Sequence, residues 1–358
     1  MKKFHFQDGL KQRFWRTSRI VVALLVLVEI SALQHFYYQN LQVSAIEPDI
    51  ALLKKLKTER VPDATHTASL VFMGDIMLAR GIGSSIDQGI NPFAGVQEKL
   101  DEFDMRIANL ETTLANPNIG SPASKPYTFN SSISALDTLK NAKLDVASLA
   151  NNHTGDFGRL ATSDTVTQFK NAGLNTVGAG DNIEQAFKPL LIEKNGISFG
   201  FIAVNDIELA HTKVGMQTPG SAYFDSDLIK NSIDSAKLAG ADFIVVIPHW
   251  GVEYSNVQSS RQQEWGRFMI DAGADLVVGS HPHVIQPSET YNGKQIVYSL
   301  GNFIFDGMSG EALNGQMISV EVQKSVVKTG TNNEKKQMII KPVSSIPYKI
   351  NSNGFPIL

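Results

Sequence analysis

Ala274-Asp275-Leu276-Val277-Val278-Gly279-Ser280-His281-Pro282-His283 carries an apolar run straight into two imidazoles that flank a proline. The run Ala274–Gly279 reads as a buried strand, short, apolar and closed by glycine. Histidine is scarce, eight residues in 358, so two at one strand end are a concentrated use of it. Strand ends along one edge of an α/β sheet are where such folds place their sites. Two histidines in a loop are often only solvated. The weight of this pair therefore rests on how the other strands end.

Outward from it, strands are expected at 69–75 (SLVFMGD), 105–111 (MRIANLE), 144–153 (LDVASLANNH), 174–180, 241–250 (ADFIVVIPHW) and 295–305 (QIVYSLGNFIF). Helices are expected around 93–103, 133–142, 158–172, 225–239 and 259–272, several stopping at a glycine such as Gly173, Gly240 or Gly273. Residues 189–206 read as a hairpin turning at Asn195-Gly196. This alternation predicts an α/β domain with much parallel sheet. From about residue 311 the helices stop. MISVEVQKSVVK and KKQMIIKPVSSIPYKI, joined by the polar TGTNNE, read as a β-hairpin extension over 311–358.

Composition narrows the chemistry. Hydrophobic residues make up 42% and charged residues 19%, ordinary for a globular chain. The net charge of −3, with no basic block beyond the N-terminus, speaks against a nucleic-acid partner. There is no cysteine, so disulfides, thiolate zinc sites and cysteine nucleophiles are excluded. Any metal must sit on His, Asn, Asp or Glu.

The N-terminus bears on location. Six Lys or Arg residues lie within 1–19, against Asp8 alone, and the apolar segment 20–38 follows. Nineteen helical residues span roughly 28 Å, close to a bilayer core. No Lys or Arg comes again until Lys54. The positive-inside rule then predicts a cytoplasmic N-terminus, one pass through the plasma membrane and an extracellular remainder. A cleaved signal peptide is the alternative. Residues 39–68, with Pro48 and Pro62, read as a stalk, and 69–310 as the main domain.

Five strand ends present groups that can bind cations: Asp75, Glu111, Asn152 with His153, His249, and the His281/His283 pair. Each alone has a bland reading, as a helix cap, a solvated carboxylate or a satisfied core histidine. Together they form a mixed oxygen and nitrogen set that suits Mn, Fe or Zn, with enough ligands for two ions. Paired ions clamp the oxygens of a displacement, as in phosphoesterases. His153 is placed to protonate a leaving group.

The ordered series GDIMLAR, ANLET, NNHTGDFG, PHWGVEY, GSHPHV and YSLGNFIFD resembles the bacterial CapA-type poly-γ-glutamate capsule biosynthesis family over roughly Ser69–Asp306. That resemblance implies a metallophosphoesterase-like β-sandwich flanked by helices, with metals at the strand ends. It implies Asp75 and His283 on a first metal, Glu111 as a bridging carboxylate, His249 and His281 on a second, Asn152 as the metal-ligating asparagine of a Gly-Asn-His motif, and His153 as the catalytic histidine. It also implies a membrane setting, polyglutamate synthase or export subunits as partners, and an anionic polymer or phosphoester substrate.

Two departures stand out. The phosphoesterase first motif is Asp-x-His, whereas Met77 follows Asp75 by two. A thioether is a poor ligand for a hard ion, so one metal or two both stay open. The second motif reads Asn-Leu-Glu, which makes bridging by Glu111 an inference. Arg80 holds an anionic substrate or merely covers a helix. Asp156 orients His153 or caps the next helix. Glu253 and Tyr254 line the cleft or lie on the surface, and Asn302 supports the ligands from behind. Trp250 and Phe303 read as packing. The functional expectation is a membrane-anchored, metal-dependent hydrolase or transferase of capsule synthesis. A non-catalytic assembly or polymer-binding subunit is the first alternative, and an exported phosphodiesterase without a capsule role is the second.

Overall fold

The computed structural model describes residues 64–116, 118–329 and 333–358. The segments expected to be cytoplasmic (1–19), membrane-spanning (20–38) and, up to residue 63, a stalk lie outside them. Among the described residues no helix is long and apolar enough to cross a membrane.

Elements are numbered in chain order. In the first sheet β1 (Ala64–Ile76), β2 (Met105–Leu110), β3 (Val146–Ser148) and β4 (Thr176–Val177) run parallel. Beyond β1 the sheet turns antiparallel, through β14 (Asn314–Thr329) and β16 (Ser344–Ile350) to β17 (Pro356–Ile357). There β15 (Asn333–Ile340) pairs with the outer half of β14, and β13 (Asn302–Ile304) lies parallel to the end of β1. The second sheet has a parallel centre, β12 (Lys294–Leu300), β10 (Leu276–Val278), β9 (Phe243–His249) and β7 (Ile197–Asn205). Antiparallel β11 (Ile285–Tyr291) and β6 (Leu190–Lys194) form its edges. A two-residue ladder joins β5 (Ala179–Gly180) to β8 (Gly220–Ser221).

The two-residue period of the strands divides their side chains between faces. Leu70, Phe72, Ile107 and Val146 of the first sheet pack against Phe199, Phe201, Val245 and Ile247 of the second. Val71 and Met73 point the other way, toward Ile82 of helix α1 (Arg80–Asp87), Leu100 of α2 (Gln97–Leu100), Leu139 of α3 (Ala135–Asn141) and Phe169 of α4 (Arg159–Asn171). Past the short α5 (Ile183–Ala186) and α6 (Leu209–Thr212), the outer face of the second sheet is covered by α7 (Ser226–Leu238) and α8 (Ser260–Ala272). The result is a helix–sheet–sheet–helix sandwich. A capping box of Ser259 and Gln262 starts α8, and Gly273 at φ +115° ends it.

Several boundaries differ from the sequence reading. The first strand begins at Ala64, not Ser69, because Ala64–Phe72 pair with Val326–Ile318 of β14. The tail from 311 is no appended extension. Ile318, Val320 and Val322 of β14 complete the core between the sheets. KKQMIIKPVSSIPYKI divides into β15 and β16 around Pro342, which has no N–H to give a ladder. The strand expected over 144–153 shortens to Val146–Ser148, the helix over 93–103 shortens to Gln97–Leu100, and α1 lies outside the expected helices. The single strand expected over 295–305 breaks at Gly301, φ +74°, where the chain crosses from the second sheet to the first. That crossing presses on β1: a Cβ at Gly74 would stand 2.0 Å from the Gly301 carbonyl oxygen.

Candidate metal centre

The parallel strands of both sheets end at one edge, and their ends supply the site. Asp75 is the penultimate residue of β1, Glu111 follows β2, and Asn152 and His153 follow β3. From the second sheet, His249 closes β9 while His281 and His283 follow β10. All seven are buried. Glu111 is the hub. His249 Nδ1 lies 3.8 Å from its Oε1, and His153 Nε2 and His283 Nε2 lie 3.9 and 3.8 Å from its Oε2.

Neighbouring groups fix which nitrogen faces the hub. Asn302 spends both amide hydrogens on the carbonyls of His283 and Ala312, so its Oδ1 accepts from His283 Nδ1 at 2.8 Å. This leaves the His283 Nε2 lone pair toward Glu111, the arrangement by which histidine ligands are held. Asp156 accepts from His153 Nδ1 at 2.7 Å and likewise leaves Nε2 free. Its Oδ2 also takes the Phe129 N–H at 2.7 Å. Because α4 begins after Gly158 with no side-chain cap, Asp156 orients His153 and caps nothing. His249 Nε2 stands 2.9 Å from Asn152 Oδ1. Two donors about 2.1 Å from one ion at right angles are about 3 Å apart, so this pair has the spacing of neighbouring ligands.

Burial dominates the electrostatics. It raises the Asp75 carboxyl, and it pushes Glu111 well above the usual carboxylate range, with the Asp75 charge adding to the push. Burial lowers His153, drives His249 well below the ordinary histidine value, and takes His281 down to about 3. A cluster of neutral imidazoles around crowded carboxyls is what a bound cation would relieve. Glu111 Oε2 and His281 Nδ1 are buried with no hydrogen-bond partner, and an unsatisfied buried acceptor is costly unless an ion or water completes it. The donor set and its orphan atoms fit a divalent ion.

Ligand atoms of Asp75, Glu111 and His249 lie within 4.8 Å of one another, and so do those of Glu253, His281 and His283. Both histidines of the loop fall in the second of these groups. The two rings are 5.9 Å apart and converge with Glu253, while His283 also reaches the hub. Glu253 is drawn from the cleft wall into a ligand group although it is exposed. Tyr254 is exposed, its ring 6.2 Å from that of His283. Arg80 packs over Phe129 at 4.9 Å and pairs with Asp306 at 2.5 Å, its side chain still 37% exposed. Met77 is buried in the core and its sulfur accepts the Ala79 N–H, so it contributes no ligand. Trp250 and Phe303 are packing residues.

Sequence reading missed three residues. Asn109 donates to Asp75 Oδ1 at 2.9 Å and Glu111 Oε1 at 3.0 Å, holding the two carboxyls together. Asn151 braces Asn109 at 3.1 Å and accepts the His153 N–H at 3.0 Å. Lys125 reaches Asp156 from a loop. The strings ANLE and NNH did contain the two asparagines, Asn109 two residues before Glu111 and Asn151 one before Asn152.

The profile described as "Bacterial capsule synthesis protein PGA_cap" matches residues 69–307. The chain belongs to this family. Like other members, the capsule synthesis protein of Bacillus anthracis named "Capsule biosynthesis protein CapA" is similar, 31% identical over 316 residues, 85% of this chain and 74% of that one. "PGA biosynthesis protein CapA" of Bacillus subtilis is 34% identical over 253 residues, 70% of this chain and 66% of that one. A solved "Putative 5'-Nucleotidase from Staphylococcus aureus in complex with alpha-ketoglutarate" aligns at TM-score 0.48 and 14% identity, over 78% of this chain and 54% of that one. Within the family region 69–307 lie all the ligand candidates, whereas β14 to β17, which complete the capsule synthesis domain, lie beyond it.

Proposed function

We propose that this chain is a component of poly-γ-glutamate capsule synthesis or export. Its domain holds one or two divalent ions (Mn, Fe or Zn) in a hydrolase- or transferase-type site like that of metallophosphoesterases. The observation that carries the site is the convergence of Asp75, Glu111, Asn152, His249, His281 and His283 around two orphaned buried atoms, Glu111 Oε2 and His281 Nδ1. The capsule role is supported by family membership and by the similarity to the two Bacillus capsule proteins. A plasma-membrane anchor at 20–38 with an extracellular domain is part of the proposal, supported by the charge pattern of the N-terminus.

An ion bound there supplies Lewis-acid polarisation and a water-derived nucleophile at neutral pH. The protein's own part starts at His153. Burial favours its neutral form, so it enters the reaction as a proton acceptor at Nε2 and returns that proton to a leaving group. Asp156 holds the ring and stabilises the imidazolium. Arg80, at the exposed side, presents its remaining N–H groups to a carboxylate or phosphate of an anionic chain.

A second reading, an assembly or polymer-binding subunit, is favoured by Met77, which removes one imidazole from the first motif. The full-length protein, purified in detergent, separates them by elemental analysis and by cleavage assays on polyglutamate and phosphodiesters. Bound metal with cleavage lost in His153→Ala supports catalysis. Bound metal without cleavage supports the assembly role. A protein that binds no divalent ion refutes the site.

A further inference from the structure

Lys125 lies in the loop 112–134, outside every motif that suggested chemistry. Its side chain is only 8% exposed, yet its ammonium meets three oxygens: Asp156 Oδ1 at 2.7 Å, the Asn152 carbonyl at 2.9 Å and Glu208 Oε2 at 2.9 Å. Two of these belong to the candidate site. Asp156 is fully buried, and its other oxygen accepts from Phe129 and from His153 Nδ1. A carboxylate buried in that position is costly unless it is paired. Lys125 is the cation that pairs with it.

We propose that Lys125 is the positioning residue of the site: it anchors the Asp156 carboxylate, so that Asp156 fixes the His153 ring, and it clamps the backbone of Asn152, the neighbouring ligand candidate. The inference rests on the reading of this cluster as a metal-dependent site. Lys125 touches neither the ligand atoms nor the face of His153 turned toward Glu111, so it acts through its neighbours. Its Glu208 contact ties the loop to the segment after β7. Glu208 is itself 43% exposed at its side chain, which makes that tie the weaker part.

Two readouts on the full-length protein test this. The first is the downfield N–H resonance of His153 Nδ1 hydrogen-bonded to Asp156, assigned by its absence in His153→Gln and recorded after chelation. The second is calorimetric titration with MnCl2. Lys125→Met is expected to broaden or lose the resonance and to weaken Mn²⁺ binding about 10–100-fold, the usual consequence of removing a group behind a ligand. Lys125→Arg is expected to restore both, and Glu208→Gln to change neither. Should Lys125→Met not fold, Lys125→Gln, which keeps a donor and loses the charge, reads the same signals. A resonance and an affinity in either variant equal to wild type would overturn the proposal. Wild type showing the resonance but no Mn²⁺ binding would instead refute the metal-site reading and leave the His153–Asp156 arm to decide on Lys125.

Discussion

Glu111→Gln separates the two things that Glu111 does, burying a charge and waiting for a cation. Without metal its carboxyl is fully buried, and its ligand oxygen lies within 4.8 Å of that of Asp75. Both carboxyls ionised at that distance would repel by ~3.5 kcal/mol at an effective dielectric of about 20, which is the ceiling of the relief because burial already favours the protonated form of Glu111. Glutamine keeps the volume and still accepts from Asn109 Nδ2, which bonds the Oε1 of Glu111 at 3.0 Å, but it cannot be charged. The chelated variant is therefore expected to be more stable than chelated wild type, with a Tm higher by at most roughly 5–10 °C. With an ion present the gap narrows, because wild type gains more from the ion than the variant does. An ion at about 100 times its Kd adds ~2.7 kcal/mol to wild type. A tenfold weaker site leaves about half of that at the same concentration. Differential scanning fluorimetry with EDTA, then with Mn²⁺ or Zn²⁺, measures both steps. A variant that melts below wild type in EDTA, or that keeps the full metal increment, would refute Glu111 as the hub of a cation site.

Four further outcomes follow from the same geometry. Asn302→Ala removes the acceptor that sets the His283 ring; it should weaken Mn²⁺ binding about 10–100-fold by titration calorimetry, and leaves the Ala312 carbonyl short of a donor. Burial holds the folded His281 value near 3, against 6.5 unfolded, so its contribution is complete above pH 6.5 and is lost as pH falls toward 3. In chelated protein this amounts to ~2 kcal/mol at pH 5, and His281→Phe should flatten the acid limb of the Tm–pH curve. Gly74→Ala drives a methyl into the Gly301 carbonyl at 2.0 Å and should destabilise by well over the ~1 kcal/mol typical of point substitutions, seen as lost soluble yield and a lowered Tm. Deleting 311–358 should abolish the cooperative melt, since β14 supplies Ile318, Val320 and Val322 to the central core; a truncated chain that melts like the full one would make the tail an appendage after all.

How far the sequence revealed this structure depended on the range of the interactions. The apolar runs ending in Asp75, Glu111, His249 and His281 announced themselves because burial and chain direction are written locally, and so were the glycine stops of α4, α7 and α8. The hairpin at Asn195-Gly196 was legible for the same reason, both residues lying in the left-handed region. The place of β14 was not. Its alternation fits a two-stranded extension as well as a central strand, and only its pairing with Ala64–Phe72 distinguishes the two. Asn109 and Lys125 were invisible for a related reason. Each acts across the fold, Asn109 against residues of β1 and β9, Lys125 against a helix-entry loop. Asp156 was ambiguous because an aspartate two residues before a helix fits a cap as readily as a partner for histidine three residues earlier.

The His281-Pro282-His283 segment shows how the site is held ready. Both histidines have positive φ, +99° and +58°, a conformation that costs a non-glycine residue about 1–3 kcal/mol and persists only where the surroundings impose it. Here each successive group of the loop is tied to a different element. The Ser280 carbonyl accepts from Trp250 N–H at 3.2 Å, His281 N–H donates to Asp75 at 3.2 Å, the Pro282 carbonyl accepts from Tyr254 N–H at 2.8 Å, and the His283 carbonyl accepts from Asn302 at 3.1 Å. Those partners come from the end of β1, from the loop after β9 and from β13. The loop is therefore braced by both sheets at the point where the chain crosses between them. Strain held by so many independent contacts fixes the backbone from which the two imidazoles project. A site assembled in this way loses little order when an ion arrives, which is the condition for its binding energy to appear as affinity.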